Sequence, residues 1–385
     1  MDSLEKKGKS ILYVVSDDWY FCSHRLPIAI KARDSGFNVH VICNIKDDAE
    51  KIKNLGFHLL PMTLVRNSLN PFQLLFALTR VIFAVRKIKP TIIQGVAAKP
   101  ILLAMLASIF SKKSKVVNQL PGLGVLAYYR FQGVKRFFSW CLFATIVQFF
   151  KRLKCNVIVQ NSDDYNRLAR ECEGSKSEII LIKGSGVDSK VFSPIPALNK
   201  PKSVALVARM IKTKGIDDFV SAAKIIWGFN KSYRFLLVGD TDLDNADGIS
   251  KNQLESYSML PNVEWLGKVS DVRKIWARSC IACLPTKYPE GIPMSLLEAA
   301  ACGRPIVSSD VPGCLEIVKD GRNGFVVPQN DPTALANALL LLLEDDDLCA
   351  KYGLRGRELV MANFDKSIIE SETLDLYQSL LLREI

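Results

Sequence analysis

Acidic residues are missing from a long part of the first half of the chain. Between Lys51 and Ser162 there is no Asp or Glu, although there are 17 Lys and Arg. Residues 1–199 contain 29 basic and 14 acidic residues, a net charge of +15, whereas residues 200–385 contain 22 and 25, a net charge of −3. Because a water-exposed surface normally mixes both signs, this imbalance predicts an anionic partner for the first half, either nucleic acid or an anionic membrane surface.

A hydrophobic run long enough to span a bilayer is also missing. The run Phe137 to Phe150 has fourteen residues with basic residues at both ends, which suits a helix that lies in the membrane interface. The runs Pro71 to Lys89 and Ile101 to Lys115 repeat this pairing. Together they favour an anionic membrane surface over nucleic acid, and the alternative is that they are core helices with solvated basic ends. The charged start, Met1 to Lys9, does not resemble a signal peptide.

The cysteines do not form a pattern that binds metal. The ten Cys are scattered, which is typical of reduced, mostly buried thiols in a cytosolic protein. Cys280 and Cys283 form one CxxC pair, but on a predicted strand residues three apart point to opposite faces, and no second pair accompanies them. Asp240 and Asp242 are predicted to form a turn. We therefore expect neither a metal ion nor a cofactor.

The pattern of apolar segments predicts an α/β fold. With 385 residues and 49% hydrophobic composition, the chain is long enough for two domains that each have a core. Candidate strands alternate with helical stretches, which is typical of doubly wound parallel sheets. The predicted strands are 10–15, 38–43, 91–94, 115–118, 156–159, 178–182, 203–208, 233–238, 263–266, 281–284, 305–308 and 324–327.

A loop rich in Pro, Asn and Lys, from Pro194 to Lys202, is the predicted linker. It divides the chain into an N-terminal domain of residues 1–196 and a C-terminal domain of residues 197–364, with residues 365–385 as a closing helix. In open parallel sheets, ligands bind outside the carboxyl ends of the strands. Functional side chains are therefore expected at those ends.

The stretch Pro289 to Glu298 contains the most informative pattern in the sequence. Glu290 and Glu298 flank a predicted helix start, at which Pro293 suits the first helical position. Glu290 is then on the loop that enters the helix, and Glu298 lies about one and a half turns inside it. Because the N–H groups and the dipole of a helix start attract phosphate, the pattern fits a nucleotide-sugar site, and an ordinary surface loop before an amphipathic helix is the alternative.

This stretch resembles the glutamate-x7-glutamate motif of the retaining family 4 glycosyltransferases, which have the GT-B fold of two facing Rossmann-like domains. Other segments resemble the same family and follow its order along the chain. They are Ser23 to Pro27, Pro121 to Gly124, Val159 to Asp164, Gly184 to Asp188, and Ser203 to Arg209 with Lys214-Gly215. The first two resemble a subgroup that builds bacterial surface polysaccharides.

Three residues form the predicted catalytic set. Arg209 directly follows a predicted strand and Lys214 begins the next helix, and two cations at a strand end suit a diphosphate leaving group. The resemblance implies that Glu290 contacts the donor sugar near its reacting face. It also implies retention of the anomeric configuration by front-face displacement, in which the leaving phosphate takes the acceptor proton and no metal is required.

The resemblance further implies a set of donor-binding residues. Glu298 accepts hydrogen bonds from the ribose hydroxyls, and Gly291 lets the backbone approach the sugar closely. The remaining contacts are made by backbone groups, to the base at Lys268 and Val269 and to the phosphate at Ser295 and Leu296.

The first half of the chain offers fewer signals for an acceptor site. Two of its three His lie in apolar surroundings that are typical of packed residues, whereas His24 follows the loop after the first strand. His24 and the adjacent Arg25 are predicted to contact the acceptor or the donor sugar, and a packed or capping His is the alternative. Gly122 and Gly124 leave a loop that can approach an acceptor closely.

The predicted activity is the transfer of a sugar from a UDP-sugar to a polyprenyl-diphosphate-linked saccharide. The subgroup resemblance implies an N-acetylhexosamine donor and an undecaprenyl-diphosphate acceptor. The protein is expected to be cytoplasmic and peripheral on the anionic inner face of the cell membrane, with no nucleic acid partner. One alternative is a transferase of the same fold that uses GDP-mannose or UDP-glucose with a soluble acceptor. The other is a non-enzymatic basic scaffold that binds nucleic acid or membrane.

Overall fold

The chain divides into two compact units. The first consists of Met1–Ser185 and Ile368–Ile385, and the second of Gly186–Ser367. The computed structural model describes residues 8–64, 70–124, 133–194, 201–243, 245 and 247–382, and for residues 133–139 it describes the backbone alone.

A seven-stranded parallel sheet forms the centre of the first unit. Its strands are β1 (Ser10–Asp17), β2 (Asn38–Asn44), β3 (His58–Pro61), β4 (Ile92–Val96), β5 (Lys115–Leu120), β6 (Asn156–Val159) and β7 (Glu178–Leu181). They are ordered β3-β2-β1-β4-β5-β6-β7, so the chain changes direction across the sheet after β3. Every residue of β1 is buried, as expected for a central strand covered by helices on both faces.

Helices connect these strands. They are α1 (Asp18–His24), α2 (Leu26–Asp34), α3 (Ala49–Asn54), α4 (Pro71–Ile88), α5 (Ala98–Ser108), α6 (Gly133–Arg152) and α7 (Ser162–Glu171). One face of the sheet packs against a core that includes Phe21 and Phe57, and the other face packs against a core that includes Val81 and Leu103.

A six-stranded parallel sheet forms the centre of the second unit. Its strands are β8 (Ser203–Val207), β9 (Arg234–Val238), β10 (Val263–Trp265), β11 (Ile281–Leu284), β12 (Ile306–Ser309) and β13 (Gly324–Val327), ordered β10-β9-β8-β11-β12-β13. Its helices are α8 (Ile216–Phe229), α9 (Lys251–Tyr257), α10 (Arg273–Arg278), α11 (Met294–Ala301), α12 (Pro312–Ile317), α13 (Pro332–Glu344) and α14 (Asp346–Asn363), with a 3-10 turn at Lys212–Lys214.

The boundary between the units lies near Gly186, whereas the sequence pattern placed it after residue 196. Val187 is buried in the core of the second unit and pairs with Asp365 in an isolated parallel bridge. The final helix, α15 (Lys366–Leu382), begins beside this bridge. Its buried residues, which include Ile369 and Tyr377, pack in the core of the first unit.

All twelve predicted strands are present, and their ends differ from the predicted ones by at most two residues. The prediction omitted β3, an edge strand of four residues whose two ends are exposed. The chain passes from α13 to α14 at Asp345. Asp345 is the N-cap of α14 and accepts a hydrogen bond from the Leu348 N–H at 2.8 Å, and the two following Asp lie in the first helical turn, where the helix dipole favours negative charge.

Candidate active site

The Glu290 loop connects β11 to α11. Every residue of β11 is buried, and the chain leaves the core at the carboxyl end of this strand. Pro293 is the N-cap of α11, with φ −67° and ψ 115°, so it lies one residue before the first helical position that was predicted for it. Gly303, with φ 75°, follows the helix as predicted. Glu298 is the fifth residue of α11, about one turn inside it.

Glu290 is held by two side chains. Its carboxylate forms an ion pair with the Lys214 ammonium, and the Thr286 hydroxyl donates to its other oxygen at 2.6 Å. The side chains of Lys214 and Glu290 are only 16% and 20% exposed. A charge-assisted hydrogen bond with this little solvent is screened weakly, so the pair fixes both charged groups at the strand end.

The loop that carries Lys214 is joined to the Glu290 loop by backbone contacts. The Thr213 carbonyl accepts from the Thr286 hydroxyl at 3.0 Å and from the Lys287 N–H at 2.8 Å. Gly215 has φ 73°, and a Cβ there would lie 1.9 Å from the Pro285 carbonyl oxygen. Only glycine therefore permits this approach.

A second glycine supports the Glu290 loop from the other side. Gly313, in the first turn of α12, lies so close to the loop that a Cβ would be 1.6 Å from the Gly291 carbonyl oxygen and 2.7 Å from that of Glu290. Gly291 was predicted to allow close approach of the sugar. The structure adds Gly313 as the residue on which the backbone of Gly291 rests.

Glu298 has a different environment from Glu290. Burial raises the pKa of its carboxyl from 4.5 to about 7. No hydrogen bond or ion pair connects the Glu298 side chain to the part of the chain that the structure describes. Since burying an uncompensated carboxylate is unfavourable, this group is poised to gain from hydroxyl donors that a ligand supplies.

Arg209 follows β8 and forms an ion pair with Asp242, with 2.6 Å between Nη1 and Oδ2. The Arg209 side chain is 52% exposed, so it remains open to a ligand. Asp240 and Asp242 lie in a turn, as the sequence predicted: the Thr241 N–H donates to Asp240 Oδ1, and the Asn245 N–H donates to the Asp242 carbonyl. The pairing of Asp242 with Arg209 was not predicted.

The loops after β9 and β10 lie beside this cation. The Gly239 N–H donates to the Gly267 carbonyl at 2.8 Å, and the Trp265 indole N–H donates to the Gly239 carbonyl at 3.0 Å. These bonds fix the entry to Lys268 and Val269, the pair predicted to contact the base.

The start of α11 offers fewer free N–H groups than its position suggests. The Leu296 N–H donates to the Pro293 carbonyl at 3.2 Å, and the Leu297 N–H donates to the same carbonyl at 3.3 Å. A phosphate that binds the Leu296 N–H would therefore have to replace an existing hydrogen bond. The Ser295 N–H donates no hydrogen bond to the backbone of the described residues.

In the first unit, Arg25 is buried rather than presented to a ligand. It is 3% exposed, and its guanidinium donates to Gln119 Oε1 at 2.7 Å and to Ser185 Oγ at 3.1 Å. Gln94 also donates to Gln119, at 3.0 Å, and accepts a hydrogen bond from the Tyr377 hydroxyl. Arg25 thus links a loop, two strands and the final helix, which gives it a structural role. Its contact with the acceptor or the donor sugar stays a prediction.

His24 and Gly122 are half-buried, whereas Gly124 is buried. His24 is the last residue of α1, half-buried, with its ring edge-on to Tyr20 at 4.6 Å between centroids. Gly122 and Gly124 lie just after β5, and the Leu123 N–H between them donates to the buried Asp164 carboxylate at 3.0 Å. Burial raises the pKa of Asp164, and Asp164 anchors this loop.

The aromatic run Phe137 to Phe150 lies in α6, and part of it lies outside the residues whose side chains are described. Four of its described residues, Phe143, Ile146, Val147 and Phe150, are buried in a core with β5 and β6. That half of the helix is a core helix, which was the alternative. Among the described residues, no helix is long and apolar enough to cross a membrane.

Comparison with known proteins assigns the chain to a family. Residues 188–359 match the model of the "Glycosyl transferases group 1" family, and residues 10–162 match the "Glycosyl transferase 4-like" model. The chain is therefore a glycosyltransferase, with a 4-like domain in its first half and a group 1 domain in its second half. This transferase is 28% identical, over 92% of its length and 94% of the relative, to the N,N'-diacetylbacillosaminyl-diphospho-undecaprenol alpha-1,3-N-acetylgalactosaminyltransferase of Campylobacter jejuni.

Two further comparisons agree with this assignment. The transferase is 24% identical to the capsular polysaccharide biosynthesis glycosyltransferase CapM of Staphylococcus aureus, over 91% of this chain and 92% of the relative. Its fold superposes on the crystal structure of Anabaena HepE in complex with UDP and glucose with a TM-score of 0.79, at 17% identity, covering 96% of this chain and 100% of that one. The transferase therefore has the GT-B fold, as predicted.

Three residues that contribute to this site were not predicted. Thr286 is a polar residue directly after a buried strand, and that position alone could have indicated it. Gly313 follows Pro312 in a dipeptide that is typical of turns, and nothing in the sequence shows what it packs against. Asp242 was assigned to a turn, which is correct but hides its pairing with Arg209.

Proposed function

We propose that this glycosyltransferase moves a sugar, an N-acetylhexosamine, from a UDP-sugar to a polyprenyl-diphosphate-linked saccharide in surface polysaccharide biosynthesis. The observation that carries the proposal is the cluster at the carboxyl edge of the second sheet. There, Lys214 and Glu290 are paired, Arg209 is open to solvent, and Glu298 is a half-buried carboxylate with no hydrogen bond or ion pair to the described residues. These are the groups that a diphosphate, a sugar and a ribose need.

The donor is proposed to bind the second unit, with a separate set of residues for each of its parts. The cations Arg209 and Lys214 face the diphosphate, since Arg offers a planar fork and Lys a compact charge. The Glu298 carboxylate accepts from the two ribose hydroxyls. The base lies against the backbone at Lys268 and Val269, and Glu290 contacts the hydroxyls of the transferred sugar.

The reaction is proposed to be a front-face displacement with retention. The bond between the anomeric carbon and the β-phosphate oxygen breaks, and the acceptor hydroxyl oxygen bonds to the same face of that carbon. The hydroxyl proton passes to the departing phosphate oxygen, so UDP leaves with it. Arg209 and Lys214 stabilise the negative charge that grows on the phosphate, which is the work that a divalent cation would otherwise do.

The acceptor assignment rests on relatives and on charge. The Campylobacter jejuni relative is named for a diphospho-undecaprenol substrate. The first unit carries the acid-free stretch from Lys51 to Ser162, which complements a polyprenyl diphosphate and anionic lipid headgroups. We therefore propose that the first unit receives the acceptor and that the protein works as a peripheral protein at the cytoplasmic face of the membrane. His24 and the Gly122–Gly124 loop are the proposed acceptor contacts.

A transferase that uses GDP-mannose or UDP-glucose with a soluble acceptor is the second candidate. The UDP and glucose bound in the HepE structure keep UDP-glucose open as a donor. The non-enzymatic scaffold is set aside, because the chain matches transferase families over both halves.

The test is donor consumption by the purified protein with a panel of UDP- and GDP-sugars and a polyprenyl-diphosphate-linked acceptor. We expect release of UDP from one UDP-N-acetylhexosamine that depends on the lipid-linked acceptor, is unaffected by chelator and is lost in Glu290→Ala. Glu255→Ala, which alters an exposed carboxylate in the same unit, is the matched control and should retain full activity. Turnover with GDP-mannose or UDP-glucose and a soluble acceptor would select the second candidate, and full activity of Glu290→Ala would overturn the donor-site assignment.

A further inference from the structure

Helix α4 is apolar on both of its faces. Its inner face, which includes Ala77, Val81 and Val85, packs in the core of the first unit. Its outer face carries Phe72 and Phe83, which are 79% and 65% exposed. A helix on the surface of a globular protein normally turns a polar face to water, so this outer face is unusual.

The exposed apolar residues of α4 form one stripe, which the exposed Thr79 interrupts between Phe76 and Phe83. Phe72, Phe76 and Phe83 repeat at the spacing of four and seven residues that places side chains on one helix face, and the stripe is about 16 Å long. Leu75, 59% exposed, lies on its edge. Large apolar residues that are exposed singly need no explanation, but a stripe of them on one helix face indicates a partner.

The stripe continues onto the end of the neighbouring helix. Ile109 and Phe110, which follow α5, are 54% and 47% exposed. The guanidinium of Arg86 lies 4.7 Å from the centre of the Phe110 ring, which places the two helix ends side by side. We define the outer face as Phe72, Leu75, Phe76, Phe83, Ile109 and Phe110.

Basic residues border this outer face. Arg80 lies 5.4 Å from the centre of the Phe76 ring, and Arg86 and Lys87 occupy the exposed last turn of α4. Lys112 and Lys113 are exposed just beyond Phe110. The sequence from Lys51 to Ser162 supplies no acidic residue to these segments. Apolar rings edged by long basic side chains suit the boundary between acyl chains and anionic headgroups.

We propose that the outer face of α4, with Ile109 and Phe110, is the surface that docks this protein on an anionic lipid bilayer. The rings enter the acyl boundary, and Arg80, Arg86 and Lys87 meet lipid phosphates. This inference rests on the proposed function, which requires a lipid-linked acceptor, and it assigns the contact to α4 rather than to α6, whose described apolar side chains are largely in the core. An anionic bilayer fits better than a second copy of the chain, because two identical basic borders would repel each other.

The test is sedimentation of the full-length protein with vesicles of phosphatidylcholine that contain or lack phosphatidylglycerol. We expect the wild type to bind the anionic vesicles more strongly than the neutral ones, and to bind less as salt is raised. The variant Phe72→Ser/Phe76→Ser/Phe83→Ser should lower the partition coefficient between vesicles and water by about tenfold or more, because it lacks the three rings that enter the acyl boundary. Arg86→Glu/Lys87→Glu should lower anionic binding and leave weak neutral binding unchanged.

Matched controls are available in the second unit. Phe229 is 78% exposed, so Phe229→Ser removes an equally exposed ring from a different surface, and Lys351→Glu/Arg355→Glu reverses two exposed charges on one helix. Both control variants should bind vesicles as the wild type does. The α4 variants should keep the wild-type affinity for UDP and the wild-type unfolding temperature, because their altered side chains are outside the core.

Three results would overturn this inference. The first is that the wild type does not bind anionic vesicles. The second is that the α4 triple variant binds them as well as the wild type does. The third is that the wild type forms a dimer and does not bind vesicles, whereas the triple variant is a monomer. Absence of UDP binding by the wild type would instead contradict the proposed donor site, and the vesicle measurement would still decide the role of α4.

Discussion

Lys214 and Glu290 form an ion pair at the carboxyl edge of the second sheet, although 76 residues separate them in the chain. The pair explains how a loop carboxylate can stay oriented before any sugar arrives. It also places the cation that should meet the donor diphosphate next to the carboxylate that should meet the sugar. The two side chains therefore act as one unit.

Because Lys214 and Glu290 act as a unit, the losses in kcat from their two substitutions should not multiply in the double variant. Lys214→Met and Glu290→Gln should each lower kcat by about 100-fold or more, since each removes a charge near the reacting atoms. The double variant should be little worse than the poorer single variant. The measurement is a double-mutant cycle on kcat, with folding checked by thermal unfolding.

The surface pair Lys251 and Glu255 is the control for that cycle. Their charged atoms lie 3.7 Å apart and their side chains are 71% and 57% exposed, so Lys251→Met and Glu255→Gln should leave kcat unchanged. If the loss in kcat of the Lys214→Met/Glu290→Gln double variant equals the product of the two single losses, the two residues act independently.

Gly313→Ala should reduce activity without touching a ligand. Its Cβ would lie 1.6 Å from the Gly291 carbonyl oxygen, so the Glu290 loop has to move. We expect kcat/KM to fall by about 100-fold, because a displacement of about 1 Å at a reacting group has that effect. The measurement is steady-state kinetics of the variant beside Gly228→Ala.

Gly228 lies in α8, and a Cβ there meets nothing within 4 Å. Gly228→Ala should keep activity and gain about 0.5–1 kcal/mol of stability from helix propensity. Wild-type kinetics in Gly313→Ala would mean that the Glu290 loop tolerates displacement.

Glu298→Gln should stabilise the protein at pH 8 and at the same time weaken its binding of the donor. Burial raises the folded-state pKa of Glu298 to about 7, above the unfolded value of 4.5. Between these values the folded state holds a proton that the unfolded state releases, so this residue makes stability fall as pH rises from 4.5 to 7. The variant lacks the buried charge and should melt at a higher temperature than the wild type at pH 8, with the difference disappearing at pH 4.5.

The same substitution should weaken UDP binding. UDP affinity should rise more steeply between pH 6 and pH 8 in the wild type than in the variant, because Glu298 loses its proton only in the wild type, whereas the phosphate of UDP titrates in both. Calorimetry measures the two profiles. A variant that melts at the wild-type temperature at pH 8 would contradict the buried charge. A variant that keeps the wild-type pH profile for UDP would contradict the ribose contact.

Asp242→Asn should tighten the binding of UDP. Asp242 neutralises Arg209 in the free protein, and removing its charge raises the positive potential where the diphosphate is proposed to lie. We expect Kd to fall by about two- to fivefold, with a steeper salt dependence, and an unchanged unfolding temperature because the pair is exposed. Weaker UDP binding would mean that Asp242 positions Arg209 rather than competing for it.

The strands were predictable because their signal is local. Each strand of the two sheets is an apolar run bounded by turn residues, and β3 was missed because Leu59 and Leu60 alone are too short to show a period. Arg209 was likewise visible, since a charged residue just after a buried strand stands out. The glutamate pair was visible because its two members flank a helix start.

The contacts that complete the donor site were not predictable from local patterns. Thr213 and Thr286 meet across loops 73 residues apart, and nothing near either residue encodes the other. The hydrogen bonds of Arg25 were not predictable either, because its place after the first strand suggested only a ligand contact. Its burial depends on Gln119, Ser185 and other residues that only the folded chain brings together.

The final helix has a consequence for how the protein is made. Tyr377 is fully buried in the first unit, where its hydroxyl lies 3.1 Å from that of Tyr13 and its ring packs against Phe37. These two partners precede the second unit in the chain, whereas Tyr377 follows it. The first unit therefore cannot complete its core before the whole second unit has been synthesised.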